Sequence, residues 1–130
     1  ADGERLFLRV FGDSYPTKDG TGVRDYIHVE DLAQGHVAAL NYINSMKRDS
    51  DVFNLGTGEG YSVLDVVKQY EIVIGKQIQK KIVDARLGDV AECYACTSKA
   101  LNVLGWEATR SLHNMCESSW NYQSKLNKKD

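Results

Sequence analysis

One hundred and thirty residues make one modest domain, able to bury about two thirds of its unfolded surface, with no room for two independent cores. With 42% hydrophobic, 26% charged and 9% aromatic residues and a single proline, the composition is that of a globular segment and excludes a disordered or fibrous chain. Sixteen basic against 18 acidic residues give a formal charge of -2, which leaves no positive field for nucleic acid or anionic lipid, and no apolar run approaches the roughly 20 residues that cross a bilayer.

In chain order, Leu6 to Phe11 is a short apolar run ended by Gly12-Asp13-Ser14, which predicts a strand entering a loop. The stretch from Asp13 to Val23 carries Tyr15-Pro16-Thr17 and Asp19-Gly20-Thr21-Gly22, longer than an ordinary connection and typical of a binding loop. Arg24 to Val29 predicts an extended entry into a helix, with Asp31 as its cap and Ala33, Val37, Leu40, Tyr42 and Ile43 on its apolar face. A polar connection from Ser45 to Asp51 then leads to an expected four-residue strand, Val52 to Leu55, and the glycine series Gly56, Gly58, Gly60.

Ser62 with Asp65 three residues on resembles a capping box, opening a helix whose face is Val63, Val66, Val67 and Tyr70 and whose end is Gly75. Lys80 to Val83 predicts another strand and Arg86 to Asp89 a polar turn. Thr97 or Ser98 is expected to cap a short helix through Leu104, stopped by Gly105. Ser111 is expected to cap the last helix, with Leu112, Met115, Cys116, Ser119 and Trp120 on one face, before a frayed tail from Asn127. Four short strands among helices and long loops point to α/β, with a sheet that looks incomplete for a domain covered on both faces.

The three cysteines, Cys93, Cys96 and Cys116, cannot all pair internally, and the Ala1 to Arg5 start lacks the apolar core of a secretory signal; reduced thiols and a cytoplasmic location are expected. Cys93 and Cys96 have C-x-x-C spacing but no second ligand pair, so no metal is expected, and the acidic stretch before them works against a thiolate. The glycines give G-x-G-x-G, not the G-x-G-x-x-G of a dinucleotide loop, and read either as a permissive turn or as a substrate-side loop.

Arg24 and Arg86 each sit beside a glycine-containing bend, where a planar guanidinium can fork onto a phosphate, with a surface ion pair as the alternative. Asp89 can accept ribose hydroxyls or terminate a turn, and Phe11 can stack on a base or pack in the core. Asp25, Glu30 and Asp31 are carboxylates open to acid–base work, while His28 and His36 lack the spacing of a helical metal pair and are expected to be satisfied core or surface residues.

Longer strings carry a resemblance over nearly the whole chain. They are Leu8 to Asp13, Tyr15 to Val29, Asp31 to Val37, Asn54 to Gly58, Ser62 to Val67, Gly88 to Ala91, Ser98 to Ala100, Leu104 to Trp106 and Trp120 to Ser124. On these the chain resembles the C-terminal portion of the UDP-galactose (UDP-glucose) 4-epimerases, within the extended short-chain dehydrogenase/reductase family.

The resemblance implies an α/β fold: the substrate-binding part of an extended NAD(P)-binding Rossmann-type enzyme, with a small incomplete sheet and about four helices. Residues 1–130 would be the C-terminal UDP-sugar-binding region, the N-terminal NAD-binding Rossmann domain being absent. It implies uracil contacts around Arg9 and Phe11, pyrophosphate contacts from Arg24 and Arg86, and ribose contacts from Asp89. Cys93 would line the sugar end of the pocket, where a small side chain leaves room for an N-acetyl group. UDP-glucose, UDP-galactose and UDP-N-acetylhexosamines are then the expected ligands.

The implied reaction is reversible oxidation at sugar C4 with NAD as hydride acceptor and a tyrosine as base, in a homodimer. No tyrosine here has a lysine four residues on, so no catalytic residue is assigned, and the isolated chain is expected to bind NAD weakly or not at all, with no cofactor expected for it, and to be inactive. Cys96 and Thr97 stand where the family usually has Asp-Pro, and Gln79 where it has proline. A noncatalytic UDP-sugar-binding module is the alternative; the Tyr15 to His28 string argues against a UDP-sugar dehydratase or decarboxylase.

Overall fold

The computed structural model describes residues 6–45 and 50–126. The expected frayed tail, the N-terminal start and part of the polar connection after Ser45 lie outside the described residues.

Two small sheets organise the described chain. Strand β1 (Leu8–Phe11) pairs in parallel with β4 (Lys80–Val83), Val10 opposite Ile82 and Phe11 opposite Val83. The strand period turns Val10 inward, where it is 1% exposed. The second sheet has β2 (Val23–Arg24) in the centre, antiparallel to β3 (Tyr61–Ser62) and parallel to β5 (Glu92–Cys93). Between β1 and β2 the predicted long loop folds back on itself. Asp19 accepts from the Thr21 amide at 2.9 Å and the Thr21 hydroxyl at 2.7 Å, and its other oxygen accepts from Ser62 Oγ.

Helix α1 (Val29–Ile43) departs from expectation in two ways. Its cap is His28, whose Nδ1 accepts from the Glu30 amide at 3.1 Å. Asp31 lies inside the first turn and is fully buried, because its carboxylate is claimed by the Thr109 and Arg110 amides at 3.2 and 2.9 Å and by the Arg110 guanidinium. The predicted apolar face is also turned outward: Val37, Leu40 and Ile43 are all more than half exposed. The buried face carries Asp31 and Gly35, since Trp106 and Leu55 lie so close that a Cβ on Gly35 would stand 2.9 Å from Leu55 Cδ1 and 3.1 Å from Trp106 Cε2. Periodicity located the stripe, and tertiary packing chose the opposite side.

Helix α2 (Val63–Ile74) follows its signals closely. Ser62 Oγ accepts from the Asp65 amide at 3.0 Å, Asp65 accepts from the Ser62 amide at 2.9 Å, and Gly75 closes the helix in the left-handed region at φ 69°. Helix α3 (Leu112–Leu126) packs along α2. Val67, Leu112 and Cys116 are buried in the molecule's core, and Tyr70 donates to Ser119 Oγ at 2.8 Å at the rim. Ser111 Oγ accepts from the Asn114 amide at 3.3 Å, as its predicted capping role requires.

The expected short helix before Gly105 is present: it opens at Ser98, where Thr97 just before it accepts from the Leu101 amide through its carbonyl at 3.1 Å, and it continues as a π-helical turn, Ala100–Leu104, before which Lys99 makes no side-chain cap bond. Lys99 is engaged elsewhere, donating to the Val52 carbonyl at 2.8 Å. That bond helps explain why the predicted strand at Val52 to Leu55 does not form. The Val52 amide goes to the Asp51 side chain at 2.8 Å and its carbonyl to Lys99, so the segment has no ladder partner. No helix of the described chain is long and apolar enough to cross a membrane.

Candidate functional site

Five of the six expected ligand-contacting residues, Arg9, Phe11, Arg86, Asp89 and Arg24, form one connected series. Phe11, at the end of β1, is half-buried, with the Arg86 guanidinium 4.8 Å from its ring centre and that of Arg9 at 5.6 Å. Arg86 Nε donates to Asp89 Oδ2 at 2.9 Å across the predicted turn. Asp89 Oδ1 lies 3.8 Å from Arg24 Nη2, which brings in the second sheet. Asp89 therefore stands between two guanidinium groups, that of Arg86 from the β4–β5 connection and that of Arg24 from β2.

Cys93 has no recorded contact with Phe11 or Arg86 but sits opposite Arg24 in the β2–β5 register. Both open onto a hollow of about 600 Å³ that Phe53, Asn54, Tyr94 and Cys96 also line. Phe53 and Asn54 escaped the sequence reading because they were assigned to a strand; their place beside a glycine series was the available signal. Cys93 and Cys96 are exposed free thiols, whereas burial pushes the Cys116 thiol up to about 11 and leaves it a packing residue.

The arginines are available to a ligand. Arg86 is 63% exposed, and a pair at that exposure is worth at most about 1 kcal/mol, so a diphosphate can displace it from Asp89. Arg24 is more enclosed, and its Nη1 donates to the Val23 carbonyl at 2.7 Å, which orients the fork toward Asp89. Arg24 borders the hollow and is linked through Asp89 to Arg86 and the Phe11 ring, and a series of two forks and a ring suits a ligand with a planar end and a multiply charged anionic middle.

Proton-transfer candidates are otherwise occupied. Burial would raise the Asp25 carboxyl, but hydrogen bonds from Thr57, Ala95 and Gly58 outweigh it and hold the group below the usual carboxylate value. Asp31 is fixed in the same sense by Arg110 and Thr109, against the opposing effect of burial. The Tyr61 hydroxyl donates to Glu59 at 2.6 Å, and with burial this pushes it up to about 12, so it carries its proton at neutral pH. Ser118 Oγ lies 2.9 Å from His28 Nε2, but His28 Nδ1 accepts from a backbone amide, which puts the ring proton on Nε2. The imidazole is thus a donor to Ser118 and cannot act as its base. As expected, His28 is a satisfied core histidine.

Comparison with known proteins places this geometry. The family described as GDP-mannose 4,6 dehydratase matches residues 9–119. The UDP-glucose 4-epimerase of Bacillus subtilis is 56% identical over 117 residues, covering 90% of this chain and 34% of that protein. Among solved structures, the UDP-glucose 4-epimerase of Bifidobacterium longum in complex with NAD+ and UDP is 51% identical, with a TM-score of 0.89 over 95% of this chain and 36% of that one. That of Stenotrophomonas maltophila, with bound NAD and formylated UDP-arabinopyranose, is 44% identical with a TM-score of 0.93, covering 97% and 37%. The chain spans about a third of the length of the curated relatives it matches. It belongs to the family described as GDP-mannose 4,6 dehydratase, and within that family its likeness is to the UDP-glucose 4-epimerases.

Proposed function

We propose that this chain is the C-terminal UDP-sugar-binding region of an NAD-dependent UDP-glucose/UDP-galactose 4-epimerase whose NAD-binding Rossmann domain and catalytic base lie outside these residues. The observation that carries the proposal is the Phe11–Arg86–Asp89–Arg24 series, which joins a stacking ring, two phosphate forks and a hydroxyl acceptor in one continuous surface. In the complete enzyme, bound NAD would supply the hydride acceptor and donor for the change at sugar C4. This chain's part is to hold the nucleotide so that C4 is presented to the cofactor.

In this reading Phe11 and the backbone near Arg9 take the uracil, Asp89 the ribose, Arg24 and Arg86 the diphosphate, and Cys93 faces the sugar. The small Cys93 side chain extends the substrate range to UDP-N-acetylhexosamines, and Cys93→Tyr is expected to suppress their turnover selectively. A cytoplasmic location goes with the free thiols, and a homodimer belongs to the same proposed reading. Calorimetric titration with UDP tests the binding role: Arg24→Ala and Arg86→Ala should each weaken UDP by about 1.5–3 kcal/mol, the worth of a charge-assisted bond, without loss of folding. A folded chain that binds no UDP overturns the proposal. UDP binding by a complete protein that never epimerises would instead mark a noncatalytic module.

A further inference from the structure

Asp25 follows Arg24 directly and is the point where three separate segments are tied together. Its Oδ1 accepts from the Thr57 amide at 2.9 Å and the Thr57 hydroxyl at 2.7 Å; its Oδ2 accepts from the Gly58 amide at 3.0 Å and the Ala95 amide at 3.1 Å. A carboxylate offers about four lone-pair directions, and all are used, so Asp25 has no capacity left for a proton or a substrate hydroxyl. The glycine loop reads accordingly. A Cβ on Gly56 would run into Asp25 Oδ2 and stand 2.7 Å from Ala95 Cβ, so this glycine is required by close approach to the carboxylate.

Each tied segment supplies a wall of the hollow that holds Arg24: Phe53, Asn54 and Leu55 just before the glycine loop, and Cys93 to Cys96 on the third segment. Neither Phe11 nor Arg9 belongs to any of them. We infer that Asp25 is a positioning residue for the diphosphate and sugar half of the ligand, fixing Arg24 and Cys93 against each other through backbone amides of the glycine loop and of Ala95, just after β5, while leaving the uracil half untouched. The inference rests on the proposed UDP-sugar role.

The test compares UDP with UMP, which keeps uracil, ribose and one phosphate but lacks the distal phosphate. Binding is measured on the full chain and on Asp25→Asn, whose amide group turns N–H donors toward N–H donors, and Thr57→Val, which removes only the hydroxyl bond. UDP affinity should fall about tenfold in Asp25→Asn and about threefold in Thr57→Val, in keeping with loss of charge-assisted bonds, while UMP affinity stays within about twofold. A purely structural role would weaken both nucleotides equally, and that result, or no change in either, overturns the inference while the UDP-binding proposal stands. If thermal unfolding shows that Asp25→Asn does not fold, Thr57→Val decides by the same ratio. Failure of the unsubstituted chain to bind UDP at all overturns both.

Discussion

The Asp31 carboxylate is fully buried in the first turn of α1 and is met there by two backbone amides and a guanidinium from the segment before α3. Trp106 Nε1 adds a bond to the Asp31 carbonyl at 3.1 Å, so Asp31, beside the Glu30–Arg110 pair, joins α1 to the Trp106 to Arg110 connection through both its side chain and its backbone. Burial works to raise its titration, the Arg110 and Thr109 bonds lower it further, and the net value lies below the ordinary 3.8. A group held more acidic in the folded state than in the unfolded chain stabilises fully above the unfolded value, and that stabilisation drains away as pH falls from there through the folded value. Asp19, Asp25 and Asp65 are displaced in the same direction. Removing Asp31 strands a guanidinium that is mostly sheltered but still paired with Glu30, so Asp31→Ala should cost about 3 kcal/mol, the lower end for a broken buried pair. Urea unfolding at neutral pH reads this loss. Repeated below the ordinary carboxylate value, the gap between variant and parent should narrow; a gap independent of pH would show that Asp31 contributes by packing alone.

Helices and strands of this chain differ in what their own residues can report. The limits of α2 were legible because a capping box and a left-handed glycine act within one turn of the chain, whereas β2, β3 and β5 are two-residue strands that exist only through partners far away in sequence. Val52 to Leu55 has the composition of a strand and lacks only the partner. The site shows the same division: Arg24, Arg86 and Asp89 could be picked out singly from their glycine bends, but no spacing says that Asp89 lies between the two arginines. Ser62 connects the levels, since one hydroxyl caps α2 through the Asp65 amide and donates to Asp19 of the long loop. Ser62→Ala should therefore cost about 1 kcal/mol for the cap and about 1 kcal/mol for the bond to Asp19, about 2 kcal/mol together. Amide exchange should quicken at both Asp65 and Thr21. Quickening at Asp65 alone would mean that the loop is held independently of the helix.

For the molecule as a whole, the outward stripe of α1 is a departure from an ordinary surface. Val29, Val37, Leu40 and Ile43 are 72%, 56%, 61% and 58% exposed on one helix, spaced near the helical repeat. Covering an aliphatic side chain of this kind yields about 1.5–3 kcal/mol when burial is complete, so four of them half-covered already rival the net stability of a small domain. In the proposed complete enzyme the region outside these residues is the natural cover, and for the 130-residue chain on its own the available cover is another copy. Sedimentation velocity on that chain should show concentration-dependent association, and Val37→Lys combined with Leu40→Glu should return it to a monomer. Neither residue lines the Arg24 hollow, so UDP affinity should be unchanged in the double variant. Placed in the complete protein, the same pair should instead lower the unfolding temperature, because the charges would be driven into a covered face. A chain that stays monomeric with its stripe intact, together with a complete protein indifferent to the charges, would mean that α1 faces water throughout.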